Sequence, residues 1–382
     1  MSDQVSGLME GRNPMDKPTG GNDPRGVAEA RAYAEDQWTR ALGIGVDPHE
    51  YRRVTGALGS RADWCPALRR TGHAYLERAE RAERAGTPVS AVTAGEHLLT
   101  AARWFHLATL VPYEVAGVAA PTGPEARAEM ARAAAEADDA LGRALAVREP
   151  GARRIRGEGF TGWLRVPRDA ATAAGTVIVI PGLDSAKEEF LDVTDALLAR
   201  GLAVYAMDGS GQGALAATSP LRPDYEQVVG RVVDALDVPR VGLVGLSLGG
   251  YFAARTAALE PRVAAAATVS GPFRLDWAEL PAPVADILTR RTGGPDAARA
   301  FARRVDLTDL APRVTAPLLV VDGDQDVIPG VTNGEPLARL APHATHLRVP
   351  HGDHLLGNAR PDWLPRLADH LAGALTSTGT AM

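Results

Sequence analysis

The chain has 382 residues, 45% of them hydrophobic and 23% charged, with a formal net charge of −6. That length predicts two domains, one large and one small, with enough chain to bury a full core without staples. The single cysteine, Cys65, excludes an intrachain disulfide and a cysteine-based zinc site, and nothing calls for an oxidising compartment.

The apolar runs are shorter than the roughly 18 residues a membrane span needs. Met1 to Gly26 is polar, rich in Gly and Pro, and has no signal-like apolar core, so the expected address is the cytoplasm. Of 41 basic residues only Lys17 and Lys187 are lysines; the rest are arginines scattered among acids, in a composition typical of a GC-rich genome. With a negative net charge this argues against nucleic acid as a partner and against a membrane surface. The expected partner is a small-molecule substrate, and a homodimer is the default symmetric assembly.

Residues 1–24 lack periodicity and are expected to be disordered. From Val27 to Val147 the pattern is helical, rich in Ala, Arg, Glu and Leu. Thr87 and Pro88 open one helix as cap and first residue, running to about Leu110 before Pro112. Thr122 and Glu125 have capping-box spacing ahead of a helix at 124–146. No clean internal repeat supports a tetratricopeptide-like array. Glu149-Pro150-Gly151 then breaks the pattern, which sets the expected units at 1–24, a helical domain at 25–148 and a second domain at 149–382.

Beyond the break, short apolar strands alternate with helices. Phe160–Val166, Thr176–Ile180, Ala203–Met207, Val241–Val244, Ala265–Val269, Leu318–Val321 and Thr345–Val349 read as strands. Helices are predicted near 186–200, 224–236, 248–259 and 361–375. This alternation predicts an α/β class with a mostly parallel, doubly wound sheet, whose site lies at the carboxyl ends of its strands.

The strongest chemical signal is Gly245-Leu246-Ser247-Leu248-Gly249, a G-x-S-x-G run between a predicted strand and a predicted helix. Ser247 on a sharp turn projects its hydroxyl above the sheet, and the two glycines remove side chains that would collide with the neighbouring strand and helix. The Leu248 N–H then points to a developing oxyanion at the helix's positive end. A serine nucleophile needs an acid and a histidine, in that chain order. Asp326 lies on the loop after Leu318–Val321, with Asp324 as competitor and Asp322 still at the strand end. Of the late histidines, His354 in Gly-Asp-His is preferred to His351, while His370 reads as a surface or packing residue. A zinc reading of His351, Asp353 and His354 lacks a matching third ligand.

A second oxyanion donor is expected on the loop Ile180-Pro181-Gly182-Leu183-Asp184, at Leu183. Ser185 and Glu188 have capping-box spacing for the following helix. Asp184 is the odd residue: an ionised carboxylate there would oppose an oxyanion, so it either starts a helix or handles substrate protons. Gly209, Gly211 and Gly213 follow a strand but lack dinucleotide-binding spacing, so no cofactor is implied. The insertion at 273–305, with Trp277, Leu280 and Ile287, either walls a pocket or is plain core.

Four runs carry a resemblance: 181–189 (Pro-Gly-Leu-Asp-Ser-Ala-Lys-Glu-Glu), 208–213 (Asp-Gly-Ser-Gly-Gln-Gly), 245–250 and 352–354. Together they resemble the 2,6-dihydroxypseudooxynicotine hydrolase and polyketide-trimming branch of the α/β-hydrolases, over about residues 60–375. The resemblance implies an α/β-hydrolase fold with an N-terminal all-helical lid, and a catalytic acidic residue where Asp184 stands. The C–C hydrolase type has Glu at that position, and Ala214 stands where an acidic residue often follows Gly-Gln-Gly.

These readings give a cofactor-free hydrolase in which Ser247 attacks a carbonyl, His354 shuttles protons and Asp326 orients the ring. It would cleave a C–C bond beside a ketone, or an ester, in a polyketide-like natural product. The alternative is a lyase of the same fold, from secondary metabolism such as antibiotic biosynthesis, that eliminates a carboxylate without consuming water. A non-enzymatic scaffold built on the helical domain is a third class, opposed by the complete triad spacing.

Overall fold

In the computed structural model, residues 23–110, 112, 123–167 and 173–376 are described. Asp23 accepts from the Arg25 N–H and Pro24 takes the first turn, so α1 (Pro24–Asp36) opens the helical part. There follow α2 (Trp38–Gly43), α3 (Pro48–Thr55), α4 (Trp64–Ala85), α5 (Pro88–Ala108) and α6 (Pro124–Arg148). The Thr87 side chain accepts from Ser90 N–H, as the cap predicts. Thr122 lies outside the described residues, and Gly123 holds the N-cap of α6. The helical core is aromatic, with Tyr51, Trp64 and Trp104 almost fully buried.

Strands then dominate: β1 (Arg153–Gly157), β2 (Phe160–Arg165), β3 (Thr176–Ile180), β4 (Ala203–Gly209), β5 (Val241–Leu246), β6 (Val263–Val269), β7 (Arg274–Leu275), β8 (Leu318–Gly323), β9 (Val331–Thr332) and β10 (Ala344–Val349). Interleaved are α7 (Leu191–Leu198), α8 (Glu226–Leu236), α9 (Leu248–Leu259), α10 (Ala282–Thr292), α11 (Pro295–Ala302), α12 (Glu335–Leu340) and α13 (Arg360–Thr376). Eight strands form one sheet in the order β1-β2-β4-β3-β5-β6-β8-β10. The β1–β2–β4 edge is antiparallel and every later pairing is parallel. β7 and β9 pair separately.

Period-two alternation places the two halves of the core. Ile178 and Ile180 of β3 and Leu243 of β5 pack with Val228, Val232, Tyr251 and Phe252 from α8 and α9. Val177, Val179, Val244 and Leu246 face the other way, onto Val193, Leu197, Trp363 and Leu371 from α7 and α13. Both faces are therefore covered, which is why these strands read as continuous apolar runs.

The 186–200 helix is corrected at its start. Residues Lys187–Phe190 form a 3₁₀ turn with Ala186 at its cap, and α7 begins only at Leu191. The Ser185–Glu188 capping box does not form, because both side chains are engaged elsewhere. Ser185 Oγ accepts from Arg40 Nη2 at 3.2 Å, and Glu188 pairs with Lys187 Nζ at 2.7 Å. In the 273–305 insertion, Trp277 and Leu280 pack against the core, while Ile287 lines a cavity.

The helical part is bound to the sheet by shape and by charge. Any side chain at Gly142 of α6 would meet the Trp163 ring at 2.5 Å, so only glycine allows this contact. Trp163 Nε1 donates to Asp138 of α6 at 3.3 Å, and Asp138 lies 3.2 Å from the fully buried Lys187 Nζ. Lys187 also pairs with Asp208 at the end of β4, at 2.6 Å. Buried charges survive only when paired in this way.

Candidate active site

β5 ends directly in Ser247, whose backbone sits at φ 53°, ψ −128°, and α9 starts at the next residue. This is left-handed territory for a side-chain-bearing residue, so the surroundings must hold it there. They do so through Ser247 N–H, which donates to Val269 O at 2.8 Å, and Gly250 N–H, which donates to Ser247 O at 2.7 Å. The flanking glycines are sterically required. A Cβ at Gly245 would meet Gly249 O at 2.0 Å, and one at Gly249 would meet Ile180 O at 2.3 Å.

His354 Nε2 lies 3.0 Å from Ser247 Oγ, and His354 Nδ1 lies 2.9 and 3.0 Å from the two Asp326 oxygens. An ionised carboxylate only accepts, so Nδ1 carries the proton and Nε2 is free to accept from the serine hydroxyl. Asp326 is buried to 1% side-chain exposure, whereas His354 is 40% exposed. The competing residues are engaged elsewhere: Asp324 with Arg348, Asp322 with His346, and His351 with Asp362. The loop after His354 is strained, with Leu355 and Leu356 at φ 64° and 48°. Leu355 N–H donates to Ser270 Oγ at 2.9 Å, tying this loop to the residue that follows β6.

Gln212 is wholly buried and organises the loop after β3. Its Nε2 donates to Pro181 O at 2.6 Å and to Gly182 O at 2.7 Å, while Tyr225 OH donates to its Oε1. Because a trans peptide sets N–H opposite C=O, anchoring Gly182 O turns the Leu183 N–H away from Gln212. A Cβ built on Gly182 would stand 3.0 Å from Ser247 Cβ, so this loop abuts the serine. Leu248 is the first residue of α9, and its N–H is one of the four that a helix start leaves without an intrahelical acceptor.

Asp184 does not cap a helix. Its carboxylate takes two bonds from Arg40 Nη1, at 3.2 and 3.1 Å, and Arg40 Nε and Nη2 grip Glu189 at 2.7 Å each. His106 Nε2 lies 3.1 Å from Glu189 on its other side. Burial opposes ionisation of both carboxylates, but Arg40, joined at Glu189 by His106, outweighs it and holds them below their ordinary range. Burial likewise opposes the charge on Arg40, and Asp184 and Glu189 more than offset it, raising its pKa. Asp184 is therefore an anion, still 30% exposed. A cavity of about 1050 Å³ adjoins it, bounded by the end of α5, the first half of α6, the 213–220 loop and the last turn of α10. Ser247 and His354 are not among its lining residues; Asp184 is, and it lies two positions after Gly182, which abuts Ser247.

Sequence reading missed Arg40, His106, Glu189 and Gln212. Gln212 has a local signal in its glycine-flanked run, and Glu189 closes the 181–189 run, but Arg40 has none. Among the described residues no group of three His, Cys, Asp or Glu side chains could hold a metal ion. Nor is any helix there long and apolar enough to cross a membrane.

Arg40→Met should leave Glu189, 2% exposed, with only His106 beside its buried charge, at a cost of about 3–5 kcal/mol at neutral pH. A depressed carboxyl stabilises the fold above its unfolded pKa of about 4 and loses that contribution as pH falls through its folded value. The stability gap between wild type and variant should therefore be full above about pH 5 and narrow below pH 4. Denaturant midpoints measured at pH 7 and at about pH 2.5 check this.

The strand order and the serine-bearing turn between β5 and α9 are those of the α/β-hydrolase fold, which the chain adopts. The serine aminopeptidase S33 family pattern matches residues 171–295, a stretch that contains Ser247 and ends before Asp326. The 2,6-dihydropseudooxynicotine hydrolase of Paenarthrobacter nicotinovorans is 31% identical over 208 residues, 49% of this chain and 56% of that protein. Alpha/beta hydrolase gkaG of Penicillium citrinum is 32% identical over 265 residues, 63% of this chain and 59% of that protein. The chain thus spans somewhat over half the length of these relatives. The crystal structure of the 2,6-dihydroxy-pseudo-oxynicotine hydrolase superposes with a TM-score of 0.75 at 25% identity, covering 89% of this chain and 96% of that one. The structure of AbyA5 matches in fold, with a TM-score of 0.61 at 21% identity over 92% of this chain and 99% of that one. The chain resembles the branch to which the pseudooxynicotine hydrolase belongs.

Proposed function

We propose that the protein is a serine-type hydrolase that cleaves a C–C bond beside a ketone, or an ester, in a polyketide-like small molecule. The observation that carries this is the unbroken chain from Ser247 Oγ through His354 to Asp326, at 3.0 and 2.9 Å. Ser247 Oγ bonds to the carbonyl carbon as its proton passes to His354 Nε2. The imidazolium returns that proton to the departing carbon or oxygen as the scissile bond breaks, leaving an acyl group on Ser247. Water, deprotonated by the same nitrogen, then releases the acid and restores the serine. Leu183 and Leu248 N–H are the oxyanion donors, and the Gln212 anchor keeps the first of them in place.

Asp184 enters as an acceptor for a substrate hydroxyl or for a proton on the carbon skeleton, since its paired carboxylate has no proton to give. The Gln212 and Arg40 contacts support a preformed site rather than one assembled by the ligand. The helical part serves as a fixed cover, because α5 and α6 wall the cavity and Lys187 ties α6 to the sheet.

Heavy-oxygen water tests the reaction type. Hydrolysis through an acyl-enzyme places the label in the acid product under single turnover. Elimination of a carboxylate, with Asp184 or His354 as base, would release an unlabelled acid and sink the hydrolytic reading.

A further inference from the structure

The cavity beside Asp184 holds a second arginine in a different electrostatic state. Arg291 stands in the last turn of α10 and lines the cavity, partly buried. The Arg40 fork is filled by Asp184, Glu189 and Ser185. Arg291 has one long bond, from Nη1 to Gly211 O at 3.4 Å, and no carboxylate within ion-pair distance among the described residues. Burial pulls its guanidinium below the ordinary value, and the nearby Asp184, already committed to Arg40, offsets this only in part.

The other polar groups on the wall are already spent. Thr109, Thr218, Ser219, Thr289 and Thr292 each donate their hydroxyl proton to a backbone carbonyl within four residues. Arg290 pairs with Asp286. Arg127 of α6 also lines the cavity and is engaged, and Asp184 is held by Arg40; much of the remaining lining is alanine, with Met130 and Ile287, so among the described residues the cavity offers apolar surface and, at Arg291, a guanidinium fork with open donors.

We infer that Arg291 is an anion-recognition residue, and that the substrate carries a carboxylate or an ionised enol on an apolar skeleton lodged in this cavity. A planar fork with free N–H pairs matches such an oxyanion in bidentate geometry, and partial burial strengthens the bond. The anion stands away from the reacting carbonyl, since Ser247 lies outside the cavity lining. This inference rests on the hydrolase reading only for the position of the reacting carbon.

The test uses the full chain and two activated esters, 4-nitrophenyl butyrate and the mono-4-nitrophenyl ester of glutaric acid. Wild type should favour the glutarate hemiester in kcat/KM, and Arg291→Gln should collapse that preference by about 10- to 100-fold, mainly through KM. Arg291→Lys, which keeps the charge without the fork, should retain an intermediate preference and guards against a folding defect in the Gln variant. Equal selectivity in wild type and Arg291→Gln would overturn the anion site while leaving the hydrolase reading intact. Binding of glutaric acid monoanilide to the Ser247→Ala chain, followed by calorimetry, separates the two ideas in the other direction. Binding weakened about tenfold or more by Arg291→Gln, with neither ester turned over by wild type, would uphold the anion site and refute the hydrolase reading. Binding that ignores the Arg291 substitution would overturn the anion site.

Discussion

Ser247→Ala should lower kcat by a factor on the order of 10⁶ while leaving the fold and substrate binding intact. The size follows from what the substitution removes. Without Oγ no acyl-enzyme forms, and His354 has no hydroxyl to deprotonate, so the three residues are lost as one unit. What would remain is the stabilisation proposed for the Leu183 and Leu248 N–H groups and substrate positioning. Alanine keeps the Cβ that the turn already accommodates at φ 53°, so circular dichroism and denaturant midpoints should match wild type. Near-normal turnover by this variant would exclude covalent catalysis and favour an elimination driven by Asp184 or His354.

Asp326→Asn should lower kcat by about 10⁴. The carboxylate receives the Nδ1 proton of His354 at 2.9 and 3.0 Å, and its burial makes that preference strict. An amide in its place can donate to Nδ1, which moves the ring proton to Nε2 and removes the base facing Ser247. Asp324→Asn is the matched control. Asp324, two residues before Asp326 on the same loop, pairs with the exposed Arg348 of β10, so its loss should leave turnover near wild type. A large effect at Asp324 with none at Asp326 would reverse the assignment. Steady-state kcat for both variants against one ester decides between them.

What was legible in the sequence is what has a local cause. β3 and β5 could be read because strands buried on both faces need unbroken apolar runs, and Thr176–Ile180 begins and ends where expected. The Ser247 turn could be read because its two glycines answer to backbone atoms only 2.0–2.3 Å from where a Cβ would stand. Asp326 and His354 could be read because they fall on loops after successive parallel strands, β8 and β10, which lie side by side in the sheet.

The illegible parts depend on partners far away in the chain. β1 was missed because Arg153–Gly157 contains a single apolar residue and owes its strand form to pairing with β2 at the sheet edge. The capping box at Ser185 and Glu188 was sound by spacing and absent in fact, because Arg40 and Lys187 compete for those side chains. The charge state of Asp184 is the sharpest case. Its neighbours in sequence suggest a helix start, but Arg40, 144 positions earlier, fixes it as an anion. Nothing in the α2 sequence marks that arginine among so many others. The same holds for Arg291, which has no carboxylate within ion-pair distance among the described residues.

The most direct test of the central claim is to treat the full-length protein with a fluorophosphonate and map the modified peptide by mass spectrometry. A single phosphonyl group on Ser247 is expected, formed with loss of ester turnover and strongly slowed in His354→Ala. Ester turnover that survives the reagent with Ser247 unmodified, or a label on another residue that abolishes activity, would contradict that claim.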